Sequence, residues 1–104
     1  MYIYNVTINV DPSIHDAWLE WMNQIHIPQM LGTGKFSSAR MCRVLVEEEM
    51  GGFTYAVQYQ THSRKQLEAY YTEDAAAMRQ DGFDRFGEAF VAFRTELEII
   101  SDHG

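Results

Sequence analysis

The residues best suited to chemistry lie close together in the stretch WLEWMNQIHIPQMLGTGKF, residues 18–36. His26 could move a proton or orient a polar ligand there, because an unperturbed imidazole has a pKa near ~6.5. A rotation of about 100° per helical residue places His26 at the edge of the apolar stripe, where a cleft between helix and sheet would open. The pattern favours the alternative, in which His26 caps the last helical carbonyls before Pro28.

Aromatic residues form a second group that could serve a ligand, since several of them together could line an apolar pocket for a flat molecule. Aromatic residues at helical or strand spacing more often belong to the core, and the spacing here favours that role. The group comprises Trp18, Trp21, Tyr55, Tyr59, Tyr70 and Tyr71.

Three arginines, Arg40, Arg43 and Arg94, fall inside predicted strands. Each must pair there with a carboxylate or with a ligand anion. We expect Glu96 or Glu98 across a dimer to supply the carboxylate, and either Arg40 or Arg43 could point inward. The candidate binding set taken from these groups is His26, Trp18, Trp21, Tyr59 and Arg94.

A metal or redox centre is not indicated by the sequence. His15 and His26 project in similar directions from a helix, but the helical rise between them is roughly 16 Å, so one ion cannot bind both. Cys42 is the single cysteine and lies in an apolar run, where we expect a buried, inert thiol. We therefore expect no metal and no cofactor.

Length and charge restrict the classes of partner. The 104 residues fit one domain spanning residues 1–104, and an apolar content of 46% is ordinary for a single core. A formal charge of −7 without a long basic cluster disfavours nucleic acid and anionic membranes. The N-terminal MYIYNVTINV lacks the features of a signal peptide and no run could span a bilayer, so we expect a cytoplasmic protein.

The first part of the chain predicts a strand followed by a helix. Alternation over residues 2–10 indicates a strand with one apolar face. Asp11 or Ser13 can cap the helix, whose apolar stripe includes Trp18. Pro28 disfavours helical geometry at the residue before it, so we expect the helix to end or kink there.

The rest of the chain predicts a β-hairpin, a second helix, a short turn of helix or an irregular loop, and a last strand. Glu47–Glu49 would lie at the exposed end of the hairpin, and Gly82 is a natural stop for the second helix. In chain order these elements cover residues 36–48 and 53–61, 63–82, 83–87 and 88–100.

The resulting order, βαββαβ, is typical of an α+β ferredoxin-like fold, a four-stranded antiparallel sheet with two helices on one face. If the more apolar side of each strand meets the helices, the bare face carries Asn5, Thr7, Arg94 and Glu96 among apolar groups. Such a face is too apolar for water and too polar for a dry core. We therefore predict a homodimer in which two sheets pair face to face.

Four segments carry a resemblance over nearly the whole chain: YNVTINVD, WLEWMNQIHIPQMLGTGKF, RVLVEEEMGGFTYAVQY and RFGEAFVAFRTELEII. They resemble a family of short bacterial proteins known as a domain of unknown function. The chain is similar to the dimeric α/β-barrel superfamily, which includes antibiotic-biosynthesis monooxygenases, haem-degrading monooxygenases and stress-responsive barrel proteins. This resemblance implies a dimeric α/β barrel but supplies no activity.

The haem-degrading branch of that superfamily uses an asparagine on the first strand, a tryptophan on a later strand and a histidine on the second helix. Asn5 matches the first of these. Residues 53–61 and 87–100 contain no tryptophan, and residues 64–82 contain no histidine. The resemblance therefore disfavours haem degradation.

Two functions of different classes remain. The first is a noncatalytic homodimer that binds a small molecule or a partner in the cleft between helices and sheet. The second, implied by the superfamily resemblance, is a cofactor-independent monooxygenase or isomerase acting on an aromatic or polyketide-like substrate, with His26 as base. Polar groups suited to catalysis are few, and fold analogy is weak evidence for activity, so we rank binding first.

Overall fold

Strand β1, Tyr2–Val10, is a central strand of the sheet and pairs on both sides. The computed structural model describes residues 1–46 and 51–104. The other strands are β2 (Ser38–Arg43), β3 (Phe53–Thr61) and β4 (Phe90–Glu98), in the spatial order β2-β3-β1-β4. All three pairings are antiparallel, which confirms the predicted ferredoxin-like α+β fold.

Within residues 1–46 and 51–104, four α-helices cover one face of this sheet, and they arise from the two predicted helices because each is interrupted once. A five-residue π-helical segment, Met22–His26, separates the first two α-helices. Asp74 separates the last two. The α-helices are α1 (His15–Trp21), α2 (Ile27–Gly32), α3 (Arg64–Glu73) and α4 (Ala75–Phe86).

The helical run does not end at Pro28, which was one of the two outcomes that the sequence left open, but continues through it to Gly32. Proline lacks an N–H, and its ring would clash with the carbonyl four residues earlier in an unbroken α-helix. The chain widens into a π turn directly before Pro28, where the Ile27 N–H donates to the Met22 carbonyl five residues back. We attribute the π turn to this proline.

The second helical region begins as predicted but ends later than predicted. Ser63 caps α3 by accepting from the Gln66 N–H at 3.2 Å. Gly82 does not stop α4; it is buried within the helix, which continues to Phe86, so residues 83–86 are helical, one of the two alternatives left open for this segment. The helix stops where Gly87 takes a φ of 57°, which side chains with a Cβ rarely adopt.

The core lies between the inner face of the sheet and the helices. Alternate residues of β1 and β3 point inward, so Val6 pairs with Val57 and Tyr4 with Tyr59 across the two strands. Trp18 from α1 and Leu67 from α3 pack against this face and are almost fully buried. The predicted apolar faces of β1 and β3 are therefore confirmed.

Strand β4 presents the opposite face from the one predicted. Its register with β1 places Arg94 opposite Val6 on the inner face and Phe93 opposite Thr7 on the outer face. As a result Phe93 is 68% exposed and Val91 is 54% exposed. Residues alternate regularly between the two faces of β4, and hydrophobicity alone favoured the face that turns outward. The pairing with β1 decides which face is inward.

The expected pairing of strand arginines with glutamates of a second copy does not fit this arrangement. Glu96 lies on the inner side, where it accepts from Arg64 and from the Tyr71 hydroxyl of its own chain. The inward arginine of β2 is Arg43, whose guanidinium lies 5.0 Å from the centre of the Phe53 ring. A cation–π contact therefore replaces the carboxylate that we expected for Arg43.

Two further predictions concern the β2 region. Cys42 is exposed rather than buried, because it shares the outer side of β2 with Arg40. The apolar run led to the wrong prediction for Cys42, because β2 is an edge strand whose side chains alternate between the two faces of the sheet. The prediction for Glu47–Glu49 falls outside the described residues.

Within residues 1–46 and 51–104 no helix combines the length and the apolar character that a membrane span requires.

Candidate functional site

A cleft opens between the inner face of the sheet and the helical layer, next to the π-helical segment. Sheet residues such as Tyr4 and Val6 form one wall, and Gly82 of α4 lies on the other side. The structure brings the five residues of the predicted binding set to this one cleft, although they come from four different elements. These residues are His26, Trp18, Trp21, Tyr59 and Arg94.

His26 is positioned by the π turn rather than by the end of a helix. Its imidazole stacks on the Trp21 indole, with ring centres 4.6 Å apart and planes 23° from parallel. The side chain caps no helix, so the capping role is wrong for this histidine. Its Nδ1 atom is buried without a hydrogen-bond partner among the described residues.

The charge state of His26 follows from this burial. Loss of hydration lowers the pKa of His26 to about 4, the nearby Asp81 carboxylate partly opposes the decrease, and Arg94 adds to it. The imidazole is therefore neutral at pH 7. In that state one ring nitrogen donates and the other accepts, and which one carries the proton depends on the partner that it meets.

Trp21 brings a second unsatisfied group to the cleft. The residue is 6% exposed, and its indole Nε1 has no acceptor within the part of the chain that the structure describes. The Phe86 ring packs edge-on against the indole, with ring centres 5.5 Å apart. The Arg85 guanidinium lies 5.8 Å from the centre of the Trp21 ring. A buried N–H without an acceptor is costly, which makes it a feature that a ligand or an ordered water can satisfy.

Arg94 reaches the cleft from β4, on the face opposite to the predicted one. Across residues 1–46 and 51–104, no carboxylate lies within 4.0 Å of its guanidinium nitrogens. The arginine is an exposed residue that also lines the cleft, so it marks the mouth. Its donors are available to an incoming acceptor.

Arg79 was not recognised from the sequence, but it lies at the same mouth. It extends from α4 and donates through Nη2 to the Tyr4 hydroxyl at 3.4 Å. Its position one residue after Met78, at the border of the apolar stripe of α4, is the signal that could have identified it.

Tyrosine hydroxyls complete the polar lining. Burial is the main cause that raises the pKa of Tyr59 and of Tyr70, so both remain protonated at any physiological pH and can donate. Tyr4 packs beside them, with its ring centre 5.4 Å from that of Tyr70 and the two ring planes tilted by 53°. These tyrosines therefore both pack in the core and line the cleft, two roles that the sequence analysis treated as alternatives.

The other histidine of the first helix belongs elsewhere. His15 stacks on Phe53 at 3.8 Å, and its Nε2 bonds the Tyr55 hydroxyl at 2.5 Å. Tyr55 is therefore occupied by this contact and does not line the cleft. In the described ranges we find no group of three or more histidine, cysteine, aspartate or glutamate residues arranged to hold a metal ion.

Gly82 keeps the cleft open at one point, and its replacement offers a first prediction. An added Cβ would meet the Trp21 Cη2 atom at 3.5 Å and Phe90 Cζ at 3.6 Å, which is ordinary contact. We expect Gly82→Ala to raise the free energy of unfolding by about 0.5–1 kcal/mol, because glycine within a helix costs backbone entropy. Urea denaturation at equilibrium measures this change.

Gly87→Ala is the matched control for that prediction. The φ of 57° at Gly87 strains any residue with a Cβ, so this variant should lose about 1 kcal/mol or more. A Gly82→Ala protein less stable than the wild type would contradict our description of the space at this point.

Comparison with known proteins places the chain in one family. A family model described as a domain of unknown function, DUF4286, matches residues 1–100. No curated protein matches the sequence.

Solved structures of similar fold have low sequence identity. A dimeric ferredoxin-like protein from an uncultured marine organism has a TM-score of 0.70 and 13% identity, with 98% of this chain and 97% of that chain covered. An ethyl tert-butyl ether D (EthD) family protein from Bacillus halodurans C-125 has a TM-score of 0.62 and 16% identity, covering 91% and 97%. A Deinococcus radiodurans protein provisionally described as an antibiotic biosynthesis monooxygenase has a TM-score of 0.60 and 11% identity, covering 100% and 97%. At these identities the likeness establishes the fold alone.

Proposed function

This chain belongs to the DUF4286 family, a domain of unknown function, and we propose that it works as a homodimer that binds a small molecule in the cleft between its helices and its sheet. The observation that carries the proposal is the pair of buried polar atoms at the cleft, Trp21 Nε1 and His26 Nδ1, which have no partner among the described residues. Burying polar atoms without partners is destabilising, so a ligand that meets them regains free energy.

Dimerisation is proposed from the outer face of the sheet. Phe93, Val91 and Leu97 of β4 are all exposed there, and Arg40 is the one charged residue among the described strand residues of that face. A broad face with so little charge is typical of a surface that another copy covers. The marine ferredoxin-like neighbour, which is described as dimeric, gives the proposal further support.

Catalysis is the weaker reading of the same cleft. A histidine whose pKa is about 4 is a poor general base at pH 7, because proton transfer is most effective from a group that titrates near the working pH. The monooxygenase neighbour shares 11% identity, which carries no activity to this chain. We therefore keep binding as the proposed function, and the cytoplasm as its proposed location from the sequence argument alone.

A native mass spectrum of the protein purified gently from its own host tests both parts of the proposal. We expect the mass of two chains and a reproducible additional component. A dimer that carries nothing extra would contradict the ligand, and a monomer would contradict the pairing of sheets. Because the cleft lies within one chain, the presence of a ligand and the formation of a dimer are tested independently.

A glutamate introduced on the outer face of the sheet tests the proposed dimer, and a glutamate introduced elsewhere on the surface is its control. Phe93→Glu should convert the dimer to a monomer, because two glutamates would then be buried in the interface. Phe83→Glu is the control, since Phe83 is 53% exposed on α4 and lies away from the sheet's outer face. The control should remain dimeric.

A further inference from the structure

The polar groups of the cleft are biased toward hydrogen-bond donors. They include two arginines, protonated tyrosines and the Trp21 indole N–H, whereas no aspartate or glutamate lines the cleft in the described part of the chain. This bias runs against the composition, since the whole protein carries 15 acidic and eight basic residues. The Asp81 carboxylate is near enough to act on the charge of His26 but does not line the cleft. A cleft in an acidic protein whose lining is rich in donors is suited to an anion.

Arg94 is the group that would meet the charge. It stands on the inner face of β4, opposite the buried Val6, and the carboxylate nearest along its own strand face, Glu96, is held by Arg64 at 2.5 Å. Arg79 lies at the same mouth, where its hydrogen bond to Tyr4 is long. Two guanidinium groups that have no carboxylate partner among the described residues therefore flank the entrance.

The inner space limits what can enter with the charged group. Its volume is about 60 Å³ and it is open toward solvent, whereas a cavity that accepts benzene measures about 150 Å³ and a water occupies about 30 Å³. The inner walls are apolar side chains such as Val6, Met22 and Met30. A chain of a few carbon atoms fills this space, and a larger group would extend out of the mouth.

Building on the proposed cleft function, we propose that the ligand class is a short-chain aliphatic monocarboxylate. Its carboxylate pairs with Arg94 and accepts from the Trp21 indole N–H, and its hydrocarbon part lies against the apolar inner walls of the cleft. The neutral His26 can donate to the same carboxylate from Nδ1 when that nitrogen carries the proton, so the ligand meets both of the buried atoms on which the proposed function rests.

Butyrate and its neutral counterpart butyramide test this proposal, because they share shape and differ in charge. Each is titrated into the ¹⁵N-labelled wild-type protein at low salt while the Trp21 indole N–H signal is followed, with Trp21→Phe used to assign it. We expect butyrate to bind roughly tenfold more tightly than butyramide, since charge-assisted hydrogen bonds are markedly stronger than neutral ones. Arg94→Gln should reduce that preference to about twofold or less.

Arg40→Gln is the control, because Arg40 is an exposed arginine on the outer face of the same sheet. It should keep the full preference for butyrate. Equal binding of the two probes to the wild type, or a preference that survives Arg94→Gln, would overturn the monocarboxylate assignment and leave the proposed cleft function standing. If neither probe shifts the Trp21 signal, the monocarboxylate assignment is overturned, and an additional component in the native mass spectrum then decides the proposed function separately.

Discussion

Replacing Trp18 with alanine should lower the free energy of unfolding by about 3–5 kcal/mol. Trp18 is 1% exposed, packs on Tyr55 with ring centres 5.2 Å apart, and lines the cleft. The loss combines the apolar surface returned to water with the cavity left behind. Small domains have a total stability of about 5–15 kcal/mol, so this one change should remove a large share of it. Chemical denaturation at equilibrium measures the effect.

Phe83→Ala is the matched control for Trp18→Ala. Phe83 is also a large aromatic residue on a helix, but it is 53% exposed. It should therefore cost under about 1 kcal/mol. A Trp18→Ala variant that loses no more than this control would contradict the placement of Trp18 at the centre of the core.

Acid should destabilise the protein through His26 before most carboxylates titrate. The pKa of His26 is about 4 in the folded chain and near ~6.5 when unfolded, so the unfolded state binds more protons between these values. The contribution of the neutral imidazole is complete above pH 6.5 and is lost as the pH falls toward 4. The separation corresponds to about 3 kcal/mol, which denaturation curves across this pH window would measure.

His26→Phe isolates this contribution, because phenylalanine can keep the stack on Trp21 but cannot titrate. The stability difference between wild type and His26→Phe should change by about 3 kcal/mol from pH 6.5 to pH 4. His62→Gln, at an exposed histidine, should follow the wild type. Parallel pH profiles for the wild type and His26→Phe would show that burial does not perturb this histidine.

The fold was predictable because its strands differ clearly between their two faces. In β1 and β3 the alternating apolar residues occupy the buried side, and Ser63 and Asp11 carry the capping side chains that begin the helical regions. β4 was predicted wrongly because Phe93 and Arg94 fit either face by their own pattern. The choice depends on contacts with β1 that the local sequence does not contain.

The candidate site was predictable as a set of residues but not as a geometry. Helical periodicity located His26 at the edge of the apolar stripe, yet it gave no sign of the π turn that carries the imidazole onto Trp21. That turn depends on how the chain accommodates Pro28 without losing its packing. Arg94 was included in the candidate binding set because of its charge. It lies at the cleft mouth because of the β4 register, which hydrophobicity alone did not predict correctly.

The most direct test of the cleft as a monocarboxylate site is a ¹H–¹⁵N chemical-shift map of the wild-type protein with butyrate and with butyramide. Two indole N–H signals exist, since the chain has two tryptophans. The account predicts that the Trp21 indole signal shifts strongly with butyrate and more weakly with butyramide, while the backbone amides of Arg40 and Cys42 on the edge strand β2, from which no described residue lines the cleft, stay in place. A Trp21 signal unmoved by either probe, or shifts concentrated on the outer face, would contradict it.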